Sequence, residues 1–231
     1  MLSVSDDATH LPILLRQLPD DHEVVLVDRG AGTDTAAAVQ ARPSVRLLSQ
    51  PGATPGRALA AGLAAATGDV IATFPVDGSA DPAELPRFVA AIEQGADFAK
   101  GSRFLDGGGA SDATSLEVAS SRVVSWLGHH AARIGLSDPA YGFYAISGRL
   151  RDRLLDVADL HTPQIATVVA LRLVAVGARV VEVPSVQRFR IFGRSRRLGL
   201  VDGVRDARLI LAERSRVSPV RRDHLETALV S

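Results

Sequence analysis

Apolar residues in the first hundred positions fall alternately into short continuous runs and into groups with helical spacing. The continuous runs predict buried strands at residues 23–27, 45–48, 70–74 and 96–99. The helical spacing predicts helices at residues 11–18, 34–40, 56–67 and 82–93. Strands that are apolar throughout and alternate with helices indicate βαβ units and a parallel sheet covered on both faces. We therefore predict an α/β fold.

The second half of the chain continues the alternation less regularly. Its spacing predicts helices at residues 116–134, 150–157, 164–176 and 198–213. Strands are predicted at residues 141–146 and 180–183, the latter halted by Pro184. Because no repeat and no second core is evident, we assign residues 1–215 to one domain and residues 216–231 to a polar tail.

Composition excludes several classes of protein. The formal net charge is zero, which gives no electrostatic attraction of the whole molecule to nucleic acid or membranes. The absence of cysteine excludes disulfides, cysteine-ligated zinc and thiol nucleophiles. The longest apolar stretch, residues 165–183, is interrupted by Arg172 and Arg179, and the first residues lack the pattern of a signal peptide. We expect a cytoplasmic protein.

Polar residues directly follow several of the predicted strands. Asp28 follows the first strand, residues 75–79 follow the strand at 70–74, and residues 101–103 follow the strand at 96–99. Ligands of parallel sheets bind beyond the carboxyl ends of the strands. We therefore expect these acidic, glycine and arginine residues to share one rim of the sheet.

Asp77 provides the sharpest of these signals, in the segment Asp-Gly-Ser-Ala-Asp-Pro at residues 77–82. A carboxylate at the end of a buried strand suits Mg²⁺, which is typically bound by one or two carboxylates together with phosphate oxygens. The alternative is a simple turn, because Asp-Gly is common in turns and Asp81 before Pro82 is a typical helix cap. The segment by itself leaves both interpretations open.

Five segments occur in order along the chain, at residues 25–28, 58–82, 101–104, 138–143 and 190–196. They read Val-Leu-Val-Asp, an Ala/Leu helix followed by a strand and Asp77, Gly-Ser-Arg-Phe, Asp-Pro-Ala-Tyr-Gly-Phe, and Arg-Ile-Phe-Gly-Arg-Ser-Arg. Together they resemble the motifs of family-2 glycosyltransferases of GT-A fold, in particular the branch that transfers mannose or glucose to polyprenyl or dolichol phosphate. The resemblance implies a Rossmann-like, mostly parallel sheet flanked by helices.

The resemblance also implies transfer of a sugar, with inversion, from a nucleotide diphosphate sugar to a lipid phosphate or another small acceptor. Asp28 would contact the base, and Asp77 with Ser79 would hold Mg²⁺ or Mn²⁺ against the diphosphate. The candidate catalytic residues are Asp77, Arg103 and Asp138, with Asp138 as the base if the acceptor is a hydroxyl. The candidates for binding the donor or phosphate groups are Asp7, Asp28, Gly56, Ser102, Arg190, Arg194 and Arg196.

Arginine dominates the C-terminal part of the chain. Residues 188–222 contain eleven arginines but three acidic residues, and apolar side chains lie among the first of these arginines. This pattern predicts either contact with phosphates and a membrane surface or an inert solvated face. Nucleic acid is not an expected partner, because the chain lacks a cluster of aromatic residues on which bases could stack.

Several positions in the donor half depart from the family pattern. Pro75 replaces the first aspartate of Asp-x-Asp, and Arg29 stands in place of the second aspartate of Asp-Asp-Gly-Ser. One carboxylate fewer weakens a site for a hard cation. The first interpretation is an active transferase with an unusual donor or weak metal dependence. The second is a pseudo-glycosyltransferase that acts as a binding protein or serves another biosynthetic reaction. A sugar nucleotidyltransferase fits less well, because the chain lacks a basic, glycine-rich loop after its first strand.

Overall fold

A mostly parallel sheet with helices on both faces forms the part of the chain that the computed structural model describes, namely residues 1–4, 11–30, 33–40, 42–111, 122–123, 135–159, 161–188, 200–213 and 225–226. The helices are α1 (Leu11–Gln17), α2 (Thr33–Gln40), α3 (Pro55–Ala65), α4 (Leu85–Glu93), α5 (Ile165–Ala175) and α6 (Leu200–Glu213). The strands are β1 (Leu2–Val4), β2 (Val24–Asp28), β3 (Val45–Ser49), β4 (Val70–Thr73), β5 (Phe98–Ser102), β6 (Gly109–Ala110), β7 (Tyr144–Ser147), β8 (Val180–Pro184), β9 (Val186–Gln187) and β10 (Leu225–Glu226). Within these ranges, no helix has the length and apolar character needed to cross a membrane.

The strands form two main sheets that meet at β1 and β4. One has the order β1–β2–β3 and the other the order β10–β8–β5–β7–β4, while β6 and β9 form a separate pair. The amide of Phe74, just after β4, donates to the carbonyl of Met1 beside β1, with an N–O distance of 3.1 Å. Every described strand pair is parallel except those of β7, which runs antiparallel to both β4 and β5. The predicted mostly parallel sheet is confirmed, and the reversal of β7 is added by the structure.

Alternate residues of the strands pack into two separate hydrophobic clusters, one on each face of the sheet. In β2, Val25 and Val27 join the cluster that contains α3 and α5, whereas Val24 and Leu26 join the cluster that contains α1 and α4. A strand buried on both faces needs apolar residues at every position. This burial explains why the continuous apolar runs located β2 and β4 correctly.

Helix α3 begins where its sequence provides both a cap and a preset backbone. The Thr54 side chain accepts a hydrogen bond from the amide of Arg57 at 3.2 Å, and Pro55 occupies the first helical position. Gly62 and Leu63 are among its buried residues, so the helix packs closely against the sheet. The helix predicted at 56–67 is confirmed to within two residues at each end.

Four predicted elements differ from the structure, and a fifth lies outside it. The strand predicted at 96–99 occupies Phe98–Ser102, so Gly101 and Ser102 lie within β5 and do not follow it. The helix predicted at 82–93 begins with the 3₁₀ turn Pro82–Glu84 before α4. The strand predicted at 141–146 begins only at Tyr144. The helix predicted at 150–157 is part of a 3₁₀ segment, Gly148–Asp159, in which three residues per turn direct both Arg151 and Leu154 toward the end of α3. The long helix predicted at 116–134 lies almost entirely outside the described residues.

Replacing Gly101 with alanine is expected to lower the free energy of unfolding by about 1–3 kcal/mol, the usual cost of overpacking. A Cβ atom at Gly101 in β5 would lie 2.7 Å from the carbonyl oxygen of Phe143 and 3.0 Å from the ring of Tyr141. Urea denaturation measures the change, and Gly109→Ala is the control because its Cβ would meet no atom within 4 Å. Equal stability of the two variants would contradict this packing.

Candidate functional site

A cavity of about 300 Å³ lies at the carboxyl ends of β1, β2 and β4. Strands β2 and β3 lie on one side of β1, whereas the strands from β4 onward lie on its other side. The strand order therefore reverses between β1 and β4. Ligands of open α/β sheets bind at such a reversal. Residues lining the cavity include Ser3, Arg29, Pro55, Val76 and Ile165. The cavity thus joins the three strand ends to the first residues of α3 and α5.

A second cavity, of about 260 Å³, lies at the opposite, amino ends of β2 and β4. Its lining is mainly apolar and includes Leu18, Val24, Val70 and Val89. Its position opposite the carboxyl ends makes it a weaker candidate for the ligand site, even though its volume is similar.

Asp28 and Arg29 form a turn beside the first cavity. The Asp28 carboxylate accepts a hydrogen bond from the amide of Gly30 at 2.8 Å, and Gly30 has a φ of 128°, which favours glycine. Arg29 Nε donates to the carbonyl of Ala53 at 2.7 Å, which connects this turn to the loop before α3. A cation therefore lines the cavity where the family resemblance predicts a second carboxylate.

Asp77 is oriented by a turn of its own next to the lining residue Val76, although neither Asp77 nor Asp28 is among the described residues that line the cavity. Its Oδ1 accepts hydrogen bonds from the amide of Ser79 at 3.0 Å and from Ser79 Oγ at 2.5 Å. Gly78 between them has a φ of 75°. Asp77 is partly exposed, whereas Ser79 is buried. The interpretation as a turn and the interpretation as a metal site are therefore compatible. The turn leaves the Asp77 carboxylate partly exposed, and Ser79 fixes its orientation.

The Asp77 turn is attached to the start of the basic segment. The carbonyl of Ser79 accepts a hydrogen bond from the amide of Arg188 at 2.7 Å, and the Arg188 guanidinium forms an ion pair with Asp81. Asp81 also caps the 3₁₀ turn at Pro82–Glu84, as the sequence predicted, by accepting from the amide of Ala83 at 3.1 Å. The chain therefore leaves β9 beside the Asp77 turn.

Arg103 and Asp138 are brought together as partners of each other. Arg103 donates from Nε to Asp138 Oδ2 at 2.6 Å, from Nη2 to Oδ1 at 2.9 Å, and from its amide to Oδ2 at 3.2 Å. Its Nη1 donates to Gln187 Oε1 at 2.8 Å. The side chains are 11% and 1% exposed, so solvent screens this bidentate pair little. Neither residue is among the described residues that line the cavity.

The remaining predicted site residues divide into two groups. Gly56 is buried in the first turn of α3, next to the lining residue Pro55. Ser102 is fully buried, and its Oγ lies 2.5 Å from Ser137 Oγ and accepts from the amide of Phe104 at 3.2 Å. Asp7, Arg190, Arg194 and Arg196 lie outside the described residues.

Sequence analysis missed a buried polar network beside the Arg103–Asp138 pair. Lys100 and Glu182 are directly paired in the register of β5 and β8, where Lys100 is fully buried and Glu182 is half-buried. Burial raises the pKa of Glu182, although hydrogen bonds from Ser137 oppose that shift. Two signals were available in the sequence. Lys100 is the one lysine among 26 basic residues, and Glu182 interrupts the apolar run of its strand.

A second part of the network connects the start of α4 to the junction of β8 and β9. Buried Glu84 accepts hydrogen bonds from the hydroxyl of Ser185 and, at 3.0 Å, from the amide of Val186. Ser185 Oγ also lies 3.3 Å from the hydroxyl of Tyr141. Burial raises the pKa of Tyr141 to about 12, so its hydroxyl stays protonated at neutral pH.

A solved structure of known function has the same fold. Glucosyl-3-phosphoglycerate synthase from Mycobacterium tuberculosis, in complex with Mn²⁺, uridine diphosphate and glucosyl-3-phosphoglycerate, superposes on 96% of this chain and 80% of its own with a TM-score of 0.61. The sequences are 18% identical, so the likeness concerns the fold alone. The fold is the GT-A fold, as predicted.

Two curated relatives carry glycosyltransferase names. An uncharacterized glycosyltransferase of Mycobacterium tuberculosis is 34% identical over 103 residues, which cover 45% of this chain and 47% of that protein. An undecaprenyl-phosphate 4-deoxy-4-formamido-L-arabinose transferase from an Enterobacter species is 24% identical over 224 residues, covering 85% of this chain and 61% of that protein. The chain thus spans about half the length of the first curated relatives it matches.

The family itself follows from a match over more than half of the chain. Residues 13–146 match the model of the family described as glycosyl transferase family 2. The matched segment contains both turns at the cavity, and it contains Arg103 and Asp138 as well. The motifs, the fold and this match agree, and the chain belongs to glycosyl transferase family 2.

Proposed function

We propose that this protein is an inverting glycosyltransferase that moves a sugar from a UDP- or GDP-linked donor to a polyprenyl phosphate or another small phosphorylated acceptor. The cavity at the strand-order reversal carries the proposal, because its lining includes Arg29, which follows Asp28, and Val76, which precedes Asp77. A nucleotide in this cavity would have its base near Asp28 and its diphosphate near Asp77.

The residues at the Asp77 turn fit a divalent cation held jointly with the substrate. Among the described residues, no three acidic or histidine side chains form a cluster that could hold a metal by themselves. Mg²⁺ and Mn²⁺ do not require one here, because one or two carboxylates and substrate phosphate oxygens are the usual ligands of Mg²⁺. Asp77 would hold the ion, which would neutralise charge on the departing diphosphate. Ser79 would orient the Asp77 carboxylate through its two hydrogen bonds.

A phosphorylated acceptor fits the Arg103–Asp138 pair better than an alcohol does. An attacking hydroxyl must lose a proton, and Asp138 was the base predicted for that case. Both carboxylate oxygens of Asp138 accept hydrogen bonds from Arg103, and the side chain is 1% exposed, so an attacking hydroxyl would have little access to it. A phosphate oxygen is already deprotonated near neutral pH and needs no base. Two of the three similar proteins described above have phosphorylated compounds in their names.

The chemical step is then a single displacement. An oxygen of the acceptor attacks the anomeric carbon of the sugar from the face opposite the nucleotide, and a new carbon–oxygen bond forms. The bond from that carbon to the diphosphate oxygen breaks, the electron pair leaves with the nucleoside diphosphate, and the configuration inverts. The protein contributes mainly by positioning both substrates and by stabilising negative charge.

The basic segment would serve the phosphate groups or a membrane surface. Arg190, Arg194 and Arg196 follow Arg188, which is bonded to the Asp77–Asp81 loop. Arginine suits phosphate because its planar guanidinium makes bidentate contacts and stays charged. The basic segment would also contact the membrane surface peripherally, because a lipid phosphate acceptor would have to be reached at a membrane.

Calorimetric titration with UDP- and GDP-sugars, with and without Mn²⁺, tests the donor site. One of them is expected to bind with a dissociation constant of about 1 μM–1 mM, the range of ordinary substrate affinities. Ala166→Phe should abolish this binding, because Ala166 lines the cavity and a phenyl ring there would occupy it. Ala175→Phe, on the same helix but away from the described lining, is the matched control.

Two results would count against the proposal. If neither nucleotide sugar binds the folded protein, the pseudo-glycosyltransferase interpretation takes its place. If a nucleotide sugar binds equally well to the wild type and to folded Ala166→Phe, the cavity is not the donor site. Thermal unfolding of both variants shows whether each is folded.

A further inference from the structure

The segment from Ser137 to Tyr141, which carries Asp138, is held at both ends by groups of opposite charge, of which Lys100 is fully buried and Glu182 is half-buried. At its first residue, the amide of Ser137 donates to Glu182 Oε1 at 2.9 Å and the Ser137 hydroxyl donates to the same oxygen at 2.8 Å. At its last residue, the carbonyl of Tyr141 accepts a hydrogen bond from Lys100 Nζ. Lys100 and Glu182 therefore grip the segment from two neighbouring strands that are paired in register.

The charged groups around this segment balance one another. Lys100 faces Asp138, Arg103 and Glu182, so the buried cluster contains two cations and two anions. Tyr141, whose ring centroid lies 5.7 Å from Lys100 Nζ and 5.2 Å from the Arg103 guanidinium carbon, adds no charge at neutral pH. Loss of the lysine charge would leave one cation facing two anions and would remove the charge that faces both Asp138 and Glu182.

We propose that Lys100 is a positioning residue that holds the Ser137–Tyr141 segment so that the Arg103–Asp138 pair keeps its orientation toward the acceptor. The proposal rests on the proposed function, because it assigns this pair to the acceptor end of that site. Lys100 does not touch the cavity within the described lining, and it acts through the carbonyl of Tyr141 and through the charges of its neighbours.

The positioning role of Lys100 predicts a specific pH dependence of kcat/KM for the acceptor. Burial lowers the pKa of Lys100 to about 8, although Asp138 and Glu182 oppose that shift. Above this pH the folded protein loses the lysine charge, and kcat/KM for the acceptor should fall. Stability should change in the opposite sense, because the unfolded lysine, with a pKa of 10.5, binds more protons than the folded one between pH 8 and 10.5. A fall in activity over this window is therefore not a consequence of unfolding driven by Lys100.

Lys100→Met, which keeps a long unbranched side chain and removes its charge, tests the positioning role directly. It is expected to lower kcat/KM for undecaprenyl phosphate or phosphoglyceric acid on the order of 10²-fold, as small misplacements do. The dissociation constant of the nucleotide sugar should stay unchanged, and the fall in activity near pH 8 should disappear. Lys100→Gln repeats the test if the methionine variant does not fold.

Arg42→Met is the matched control, because Arg42 is another buried cation that donates to backbone carbonyls far from the site. Its guanidinium donates to the carbonyls of Leu15, Leu18 and Pro19 at 2.5, 3.0 and 2.5 Å, and so closes the end of α1. This variant should lose stability while keeping the acceptor KM and the pH profile of the wild type.

An NMR measurement keeps the proposal testable if the wild type transfers sugar to neither acceptor. The ¹⁵N–¹H signal of Arg103 Nε, assigned by its disappearance in Arg103→Lys, reports on the hydrogen bond to Asp138. Lys100→Met should move this signal, and Arg42→Met should not. An unmoved signal, or wild-type acceptor kinetics in both folded Lys100 variants, would overturn the positioning role. Absence of transfer together with a moved signal would count against the proposed function instead.

Discussion

Replacing Asp77 with asparagine is expected to lower kcat on the order of 10³-fold, because a metal ion at a departing diphosphate contributes several kcal/mol and about 4 kcal/mol corresponds to that factor. The substitution isolates the effect of charge. Asparagine keeps an Oδ1 atom that can accept the hydrogen bonds from the amide and hydroxyl of Ser79. The turn therefore persists while the negative charge is lost. Steady-state kinetics at several Mn²⁺ concentrations should show that the remaining activity responds little to the metal.

Asp69→Asn is the matched control for this substitution. Asp69 immediately precedes β4, whereas Asp77 lies just beyond its carboxyl end, and its side chain is exposed at the opposite end of the strand. The control removes the same charge from the protein and should keep wild-type turnover and metal dependence. Full activity of Asp77→Asn would show that the charge of Asp77 has no part in catalysis and that the residue serves only to form the turn.

Replacing Asp138 with alanine is expected to lower the free energy of unfolding by about 3–5 kcal/mol, the usual cost of removing one partner of a buried ion pair. The variant would leave the Arg103 guanidinium, whose side chain is 11% exposed, without the carboxylate that accepts two of its hydrogen bonds and a third from the Arg103 backbone amide. A loss of this size is a large part of the roughly 5–15 kcal/mol by which proteins are stable. Urea denaturation gives the free energy, and thermal unfolding gives an independent check.

Two further variants show whether the loss of stability comes from an unpaired buried charge or simply from the loss of an ion pair. Arg103→Met combined with Asp138→Leu should recover much of the loss, because an apolar pair leaves no unpaired charge behind. Arg149→Met breaks the ion pair with Asp97, in which the arginine side chain is 66% exposed, and should cost less than about 1 kcal/mol. Equal losses in Asp138→Ala and Arg149→Met would contradict the structural importance assigned to the buried pair.

The strands buried on both faces were predictable from local patterns, whereas the short strands β1, β6, β9 and β10 were not predicted. The apolar run at 23–27 located β2 (Val24–Asp28) to within one residue, because a strand buried on both faces must be apolar at every position. The helix cap at Asp81 was also predictable, since its side chain accepts a hydrogen bond from an amide only two residues away. The direction of β7 was not predictable from its own residues, because it depends on its pairing with β4 and β5.

The sequence placed Asp28 and Asp77 directly after buried strands, and in the structure their neighbours Arg29 and Val76 line one cavity. The binding roles of Asp28 and Asp77 stay predictions. Arg103 and Asp138 were assigned separate roles, yet they form one ion pair across 35 positions of sequence. Their pairing follows from the fold, which brings the end of β5 beside the segment that leads into β7.

The sequence by itself determined where the long apolar strands and most helices of the donor half lie, which family the chain resembles, and which turns follow these strands. These properties are local, since burial pattern, caps and turn residues act within a few positions of one another. Only the tertiary structure decided which charge faces which. Lys100 meets Glu182 across 82 positions because β5 and β8 are neighbours in a fixed register. The order and register of strands depend on contacts throughout the sheet, so no local pattern contains the partners of Asp138, Arg103 or Lys100.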